Sequence, residues 1–175
     1  MLYAAEYART LRVPYLGICL GMQIAVIEFA RNVAGIKDAC SGEFQDASDH
    51  RVIDFMPGQS DDIDKGGTLR LGSYPCVVQP GTLMEKCYGA KEISERHRHR
   101  YEFNNDYRET LSEAGLVISG ISPDNTLVET VEVANHPFYL GVQYHPEFKS
   151  RPNRPHPVFK GFVEAALLRL EQKWI

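Results

Sequence analysis

The stretch Tyr15-Leu16-Gly17-Ile18-Cys19-Leu20-Gly21-Met22-Gln23 decides the fold of this 175-residue chain. Its first four residues form a short apolar run that is typical of a buried strand. From Gly21 onward, apolar residues recur at helical spacing, and a second such pattern over residues 1–11 precedes the strand. Helix, strand and helix in quick succession predict an α/β domain with a parallel sheet.

The rest of the chain predicts more short strands and two further helices. Strands are predicted at residues 52–55, 68–71, 76–79, 116–121, 128–133 and 139–143. Asp106 is predicted to cap a helix that runs through Ala114, and residues 57–67 are predicted to form a mobile polar loop. Pro157 opens the last helix, whose apolar stripe is predicted to pack on the core: Phe159, Phe162, Val163, Ala166, Leu167, Leu170 and Trp174. With no repeat or linker visible, residues 1–175 are expected to form one domain.

Composition excludes several classes of function. The chain has 19 Lys and Arg against 23 Asp and Glu, a net charge of −4, which disfavours a surface built for nucleic acid or anionic lipid. No apolar run reaches the roughly 18 residues that a membrane span needs. The four cysteines lack zinc-finger spacing, so no metal site is expected, and Cys40, Cys76 and Cys87 are predicted to be small buried residues. Since no secretory leader is visible, we expect a cytoplasmic protein.

Gly17-Ile18-Cys19-Leu20-Gly21 has the pattern of a nucleophile elbow with cysteine as the nucleophile. The sharp turn should strain the backbone at Cys19, and a Cβ at either glycine should collide with the neighbouring strand or helix. The N-terminus of the following helix should lower the thiol pKa, and the Leu20 N–H should face an oxyanion. A buried, inert cysteine in a glycine-rich turn is the alternative.

A base for such a thiol is predicted at His145, in the segment Gly141-Val142-Gln143-Tyr144-His145-Pro146-Glu147. This histidine follows a buried strand, and parallel strands end at the crevice that holds the elbow. Glu147 could then accept a hydrogen bond from the imidazole and fix its tautomer. His50, His136 and His156 lie in loops and are predicted to be solvated.

The run Arg96-His97-Arg98-His99-Arg100 could instead suggest a nucleic-acid patch. In a strand, its three arginines would share one face and its two histidines the other. Such a narrow stripe on an acidic protein is not the electrostatic footprint of a nucleic-acid binder. We therefore expect no nucleic-acid partner.

Residues 16–23 (LGICLGMQ) and 141–147 (GVQYHPE) resemble the class I, triad-type glutamine amidotransferase family. Residues 66–72 (GGTLRLG), 95–104 (ERHRHRYEFN) and 144–161 (YHPEFKSRPNRPHPVFKG) are similar to the glutaminase domains of the CTP synthase family within it. The resemblance implies a flavodoxin-like, open and mostly parallel sheet with flanking helices and a small antiparallel strand region.

The resemblance also assigns roles to individual residues. Cys19 would be the nucleophile, His145 the base and later the acid, and Glu147 the orienting carboxylate. Glutamine would be held at six further positions: Leu20, Gly21, Met22, Gln23, Glu43 and Arg100. Free glutamine carries an ammonium and a carboxylate, so one acid and one guanidinium suit it. Without the resemblance, Glu43 and Arg100 would be interpreted as surface charges.

The implied activity is glutamine hydrolysis through a cysteine thioester, with ammonia supplied for the ATP-dependent amination of UTP to CTP. No cofactor is expected in this segment, and the intact enzyme is expected to use ATP and Mg²⁺, with GTP as activator. The implied partners are glutamine, a synthetase domain and further copies of the intact enzyme in a tetramer. Residues 57–67 and the segment 66–72 are suggested to form part of a lid that senses GTP.

The family pattern also has first strands and a glycine-rich oxyanion loop before the elbow. Residues 1–11 resemble the helix that follows this loop, so the chain is expected to be incomplete at its N-terminus and weakly active or inactive alone. Two alternatives remain open. One is another amidotransferase subunit or a γ-glutamyl hydrolase, and the other is an inactive glutaminase fragment with a role in assembly or regulation.

Overall fold

The computed structural model of the protein describes residues 1–44, 48–55 and 70–172. The helices are α1 (Leu2–Thr10), α2 (Leu20–Asn32), α3 (Leu83–Tyr88), α4 (Arg108–Glu113) and α5 (Pro157–Gln172). The strands are β1 (Tyr15–Ile18), β2 (Cys40–Ser41), β3 (Arg51–Phe55), β4 (Arg70–Val78), β5 (Glu92–His99), β6 (Tyr101–Phe103), β7 (Leu116–Ile121), β8 (Val128–Val133) and β9 (Tyr139–Val142). Short 3₁₀ turns cover Asn105–Tyr107 and Pro146–Phe148.

The main sheet has six strands in the order β1-β9-β8-β7-β4-β5. β1 and β9 run parallel, whereas the other four pairs are antiparallel. The predicted α/β class is confirmed, but the sheet is mixed rather than mostly parallel in the described residues. The reason is the short connections, such as residues 122–127 between β7 and β8, because a tight turn can join only antiparallel neighbours.

A second, three-stranded sheet has the order β2-β3-β6 and corresponds to the predicted small strand region. Here β2 and β3 are parallel, and β3 and β6 are antiparallel. The strands predicted at 68–71 and 76–79 are instead parts of one strand, β4, as far as the structure describes them. The loop predicted at 57–67 lies outside the described residues.

The main sheet curls so that β5 reaches the residues that follow β9. The His145 backbone N–H donates to the Arg96 carbonyl at 2.8 Å, and the Lys149 ammonium donates to the Ser94 carbonyl. β5 thus lies against the end of β9 although three strands separate them in the sheet order. This curl brings distant segments of the chain to the predicted active site.

Two of the three apolar clusters in the described residues join the layers. One joins α2, through residues such as Val26 and Phe29, to Ile53 of β3 and Val131 of β8. The other lies beneath α3 and α5 and contains Leu140 of β9. α2 therefore packs between the two sheets, and this packing fixes the position of the elbow at the N-terminus of α2.

The last helix is only partly a core helix. Val158 is buried, and Phe162 packs against Phe138 with ring centroids 5.8 Å apart. Val163 and Leu167 are 53% and 55% exposed, and Ala166 and Leu170 are exposed as well, so the predicted core-packing stripe is wrong for this half of α5. The physical reason is that α5 packs on α3 and on the sheet through its first turns, where Phe159 and Phe162 join the cluster of Leu140. Trp174 lies outside the described residues.

Two other helices differ in detail from their predictions. α1 forms as predicted, but it buries Ala5 and Ala8 while Tyr3 and Tyr7 stay exposed. The helix predicted from Asp106 is capped by Asn104, whose side chain accepts from the Asp106 N–H at 3.1 Å. A 3₁₀ turn follows this cap before the α-helix proper begins.

Candidate active site

Cys19 lies at the turn between β1 and α2 with φ 50° and ψ −105°. A positive φ is rare for a residue with a side chain, which confirms the predicted strain at the elbow. The Cys19 N–H donates to the Val142 carbonyl at 2.7 Å and ties the elbow to the end of β9. The thiol is therefore held at the edge where β1 and β9 end.

The two elbow glycines are not equivalent. A Cβ on Gly17 would lie 2.6 Å from the backbone carbon and oxygen of Gly21, so the predicted collision is confirmed there. A Cβ on Gly21 would meet nothing closer than the Tyr15 hydroxyl, at 3.9 Å, so the prediction is wrong for this position. That hydroxyl donates to the Gly21 carbonyl at 2.7 Å.

The polar groups near the Cys19 sulfur have opposite effects on the pKa of its thiol. It lies 4.0 Å from the Arg98 carbonyl and 3.6 Å from Nε2 of Gln143. Burial raises the pKa of the Cys19 thiol above its ordinary value, and the charge of Glu43 adds to the increase. Hydrogen bonds from the Leu20 N–H and the Gln143 amide lower it. The predicted fall in thiol pKa is thus wrong for the free site, because desolvation outweighs the helix N-terminus.

His145 follows β9 and is oriented by Glu147. Its Nδ1 lies 2.6 Å from Oε1 of Glu147, and its ring packs beside Phe148 with centroids 5.3 Å apart. Because a carboxylate only accepts, this contact places a proton on Nδ1 and leaves Nε2 as the basic nitrogen. The predicted contact between His145 and Glu147 is therefore present, and their roles as base and orienting acid stay predictions.

β5 contacts both the Cys19 thiol and the His145 backbone along one strand edge. The Arg96 carbonyl accepts from the His145 backbone N–H, and the Arg98 carbonyl lies 4.0 Å from the Cys19 sulfur. Residues two apart in a strand present their carbonyls on one side, about 7 Å apart. The arrangement can support attack by a thiol whose proton passes to a nearby imidazole.

The positions expected to hold glutamine surround the elbow from three elements. Leu20, Gly21, Met22 and Gln23 form the first turn of α2. Met22 points into the core, whereas Nε2 of Gln23 donates to the Tyr101 carbonyl at 3.0 Å. Glu43 is exposed after β2 with its charge acting on Cys19, and Arg100 is half-buried between β5 and β6. Their roles toward glutamine stay predictions.

Behind β5 lies a buried group of charges that sequence reasoning missed. Arg70 contacts Glu129 at 2.6 Å and Glu102 at 3.5 Å. Nδ1 of His97 and Nε2 of His99 are 2.9 Å apart, on the opposite face from Arg96 and Arg98, as the alternation predicts. Burial lowers the pKa of His97 to about 2 and of His99 to about 3, and raises that of Glu102 to about 8. The signal available in the sequence was strand alternation. It places His97 and His99 on one face of the strand, but it does not indicate which charged residues of other strands pack there.

A second buried cluster overturns the prediction for His156. This histidine is 4% exposed, and its Nε2 lies 3.0 Å from Oε1 of Glu95. The Tyr88 hydroxyl donates to the same carboxylate and contacts the Tyr144 hydroxyl at 2.9 Å. His156 is therefore a structural residue rather than a solvated one, because the curl of the sheet folds its loop over β5.

An open groove of about 580 Å³ lies beside His145. It is lined by Leu71, Arg96, His97, Arg98 and Phe148. Arg96 and Arg98 make the groove basic. Phe148 lines the groove and also packs against the imidazole of His145.

The cysteines and the possible metal ligands form no further centre in the part of the chain that the structure describes. All four cysteines are free; Cys40 and Cys76 are buried as predicted, but Cys87 is half-buried. Among residues 1–44, 48–55 and 70–172, no three His, Cys, Asp or Glu side chains are grouped to hold a metal ion. None of the helices in these ranges is long and apolar enough to span a membrane.

Comparison with known proteins agrees with this geometry. The family model "Glutamine amidotransferase class-I" matches residues 1–165. CTP synthases of Rubrobacter xylanophilus and Carboxydothermus hydrogenoformans are 63% and 61% identical over 97% and 94% of the chain. The chain spans only 30% and 31% of the length of these two relatives.

Solved structures give the same picture. The glutaminase domain of Trypanosoma brucei CTPS with bound acivicin superposes with a TM-score of 0.89 at 41% identity, over 95% of this chain and 64% of that one. A glutamine amidotransferase from Thermotoga maritima has a TM-score of 0.51 at 17% identity, over 99% of this chain and 55% of that one. The second likeness shows the fold alone.

Proposed function

The chain belongs to the class I glutamine amidotransferase family, and on this premise we propose that it is the glutaminase domain of a CTP synthase. The single observation that carries the catalytic part is the convergence of Cys19 and His145 on one edge of β5, with Glu147 behind the imidazole. The choice of CTP synthase is supported by the 63% identity to a protein of that name.

In the proposed reaction, Cys19 attacks the side-chain amide carbon of glutamine. The thiol proton passes to Nε2 of His145, and the oxyanion that forms faces the Leu20 N–H. The carbon–nitrogen bond then breaks as His145 returns the proton to the leaving ammonia. Water, deprotonated by His145, attacks the thioester, and glutamate leaves with regeneration of the thiol.

Glutamine itself would be held by groups of opposite charge around the elbow. Glu43 suits the α-ammonium and Arg100 the α-carboxylate, because each is a charged donor or acceptor at the rim of the site. Gln23, in the first turn of α2, has its amide fixed on the Tyr101 carbonyl.

Ammonia would aminate UTP to CTP in a synthetase domain outside this chain, with ATP and Mg²⁺ bound there. The described residues offer no metal ligand group, so no step of the reaction in this chain is assigned to Mg²⁺. We extend the proposal to GTP as an activator, a tetrameric intact enzyme and a cytoplasmic location. The suggested lid over residues 57–72 stays a prediction; the described part of it, residues 70–72, begins β4, where Leu71 lines the groove next to Phe148.

The test is the Cys19→Ala variant of the full-length protein. We expect loss of glutamine-dependent CTP formation while free ammonia still supports the reaction, because only the glutaminase step needs the thiol. A matched Cys87→Ala control, which removes a thiol from α3, should keep both activities. Simultaneous loss of both activities in Cys19→Ala, or ammonia consumed by an acceptor other than UTP, would contradict the proposal.

A further inference from the structure

Gln143 is fully buried between β9 and His145, and it contacts the nucleophile. Its Nε2 lies 3.6 Å from the Cys19 sulfur, and its backbone N–H donates to the Glu129 carbonyl at 2.9 Å. A fully buried amide next to a reacting sulfur has a chemical consequence, because each of its polar atoms needs a partner of the right kind.

Gln23 fixes which end of the Gln143 amide faces the sulfur. The Tyr101 carbonyl can only accept, so the Gln23 atom 3.0 Å from it is the NH₂ group. The same NH₂ group donates to Oε1 of Gln143 at 3.3 Å. The Gln143 oxygen is thus occupied, and its NH₂ group must point to Cys19.

A thiolate in this position needs such a donor. Burial raises the pKa of the Cys19 thiol, since the anion loses hydration, and the nearby carboxylates oppose the negative charge further. Among the residues that the structure describes, the donors to the sulfur are the Leu20 N–H and the Gln143 amide. During attack on glutamine, the Leu20 N–H would turn toward the oxyanion, which leaves Gln143 to the sulfur.

We propose that Gln143 is a catalytic residue that donates a hydrogen bond to the Cys19 thiolate, with Gln23 holding its amide in the donating orientation. The bond would act twice, because the thiolate exists before attack on glutamine and again as the leaving group when water cleaves the thioester. This inference rests on the proposed function of Cys19 as a glutaminase nucleophile.

The experiment uses the Gln143→Met variant of the full-length protein, because Met matches Gln in length and shape but has no N–H donor. The alkylation rate of Cys19 by iodoacetamide is measured against pH, with the labelled peptide identified by mass spectrometry. We expect the midpoint to rise by about one pH unit, a roughly tenfold loss of thiolate near neutrality, because hydrogen bonds to charged groups have this strength.

The matched control is Tyr144→Phe. Tyr144 is the next residue and is equally buried. Its hydroxyl contacts the Tyr88 hydroxyl and the Met84 sulfur rather than the Cys19 sulfur. General loosening of the segment would move the midpoint in both variants, which would overturn the proposal, whereas a shift in Gln143→Met alone supports it.

A second variant covers the case in which Gln143→Met does not fold. Gln23→Met removes the donor that orients the Gln143 amide, and it should move the midpoint upward as well; an unmoved midpoint would overturn the proposal. If the wild-type protein hydrolyses glutamine but the alkylation midpoint of Gln143→Met is unchanged, the role of Gln143 alone is overturned. Wild-type protein that neither hydrolyses glutamine nor forms a thioester at Cys19 would overturn the proposed function itself.

Discussion

Oε1 of Glu95 lies 3.0 Å from Nε2 of His156 and 3.0 Å from the Tyr88 hydroxyl, in a buried cluster against β5. Glu95 precedes Arg96, whose carbonyl holds the His145 backbone at 2.8 Å. The cluster therefore connects the packing of the α5 entry loop to the position of the predicted base.

Replacement of Glu95 by Ala should destabilise the protein by about 3 kcal/mol, because it leaves the buried partners of the carboxylate unpaired. Urea unfolding monitored by circular dichroism would measure the change. Lys160→Ala is the control, since the pair between Lys160 and Glu164 is exposed and spans 3.8 Å. Equal unfolding midpoints for the two variants would contradict a structural role for Glu95.

The elbow glycines should respond differently to a methyl group. Gly17→Ala should cost about 1–3 kcal/mol, since its Cβ meets the backbone of Gly21 at 2.6 Å and the strand or helix must shift. Gly21→Ala lies in α2 with open space around its Cβ and should gain up to about 1 kcal/mol from helix propensity. Chemical unfolding would measure the free energy of unfolding of both variants. An equal loss of stability in the two would show that a Cβ at Gly21 is not tolerated.

His99 should make the protein less stable in acid. Its pKa is lowered to about 3, so the stability from its neutral form is fully present above the unfolded value of about 6.5 and is lost as pH falls toward 3. Glu102, with its pKa raised to about 8, acts in the opposite direction between roughly pH 4.5 and 8. Glu102 is present in both the wild type and a His99→Gln variant, and the neutral glutamine keeps a polar group beside this carboxyl, which His99 contacts at 3.4 Å, so the contribution of Glu102 largely cancels in their difference.

Between pH 7 and pH 5, we expect the stability of His99→Gln relative to the wild type to rise by about 2 kcal/mol, because only the unfolded wild type takes up the extra proton. Urea unfolding of both proteins at pH 5, 6 and 7 would measure this. A difference that does not depend on pH would refute the neutral, buried state of His99.

Glu147→Ala should lower the glutamine-dependent kcat by roughly 10²–10⁴-fold, because the His145 ring loses the acceptor that fixes its tautomer and orientation. Ammonia-dependent turnover should be unchanged. The exposed Glu92, on the same strand that contacts His145, provides the control, and Glu92→Ala should retain the glutamine-dependent rate. A fall in both variants would point to loss of the β5 edge rather than of the orienting acid.

Much of the fold could be predicted where local patterns are strong. The bounds of β1, β7 and β8 match their predictions, because apolar runs between glycine- and proline-containing turns define a strand locally. The sequence pattern did not predict α3, β5 or β6, since their sequences are short and rich in charge. The exposed half of α5 had the same apolar pattern as a core helix, and a pattern cannot say which neighbour covers it.

By itself, the sequence determined the elbow at Cys19 and the pairing of His145 with Glu147, because each depends on residues within a few positions of one another. Only the tertiary structure decided that β5 curls onto the end of β9. The pairing of β1 with β9 brings Gln143 to the sulfur, and the curl buries Glu95 with His156. Such contacts join residues 61 and 124 positions apart, and they follow from sheet closure and core packing, which local periodicity does not encode.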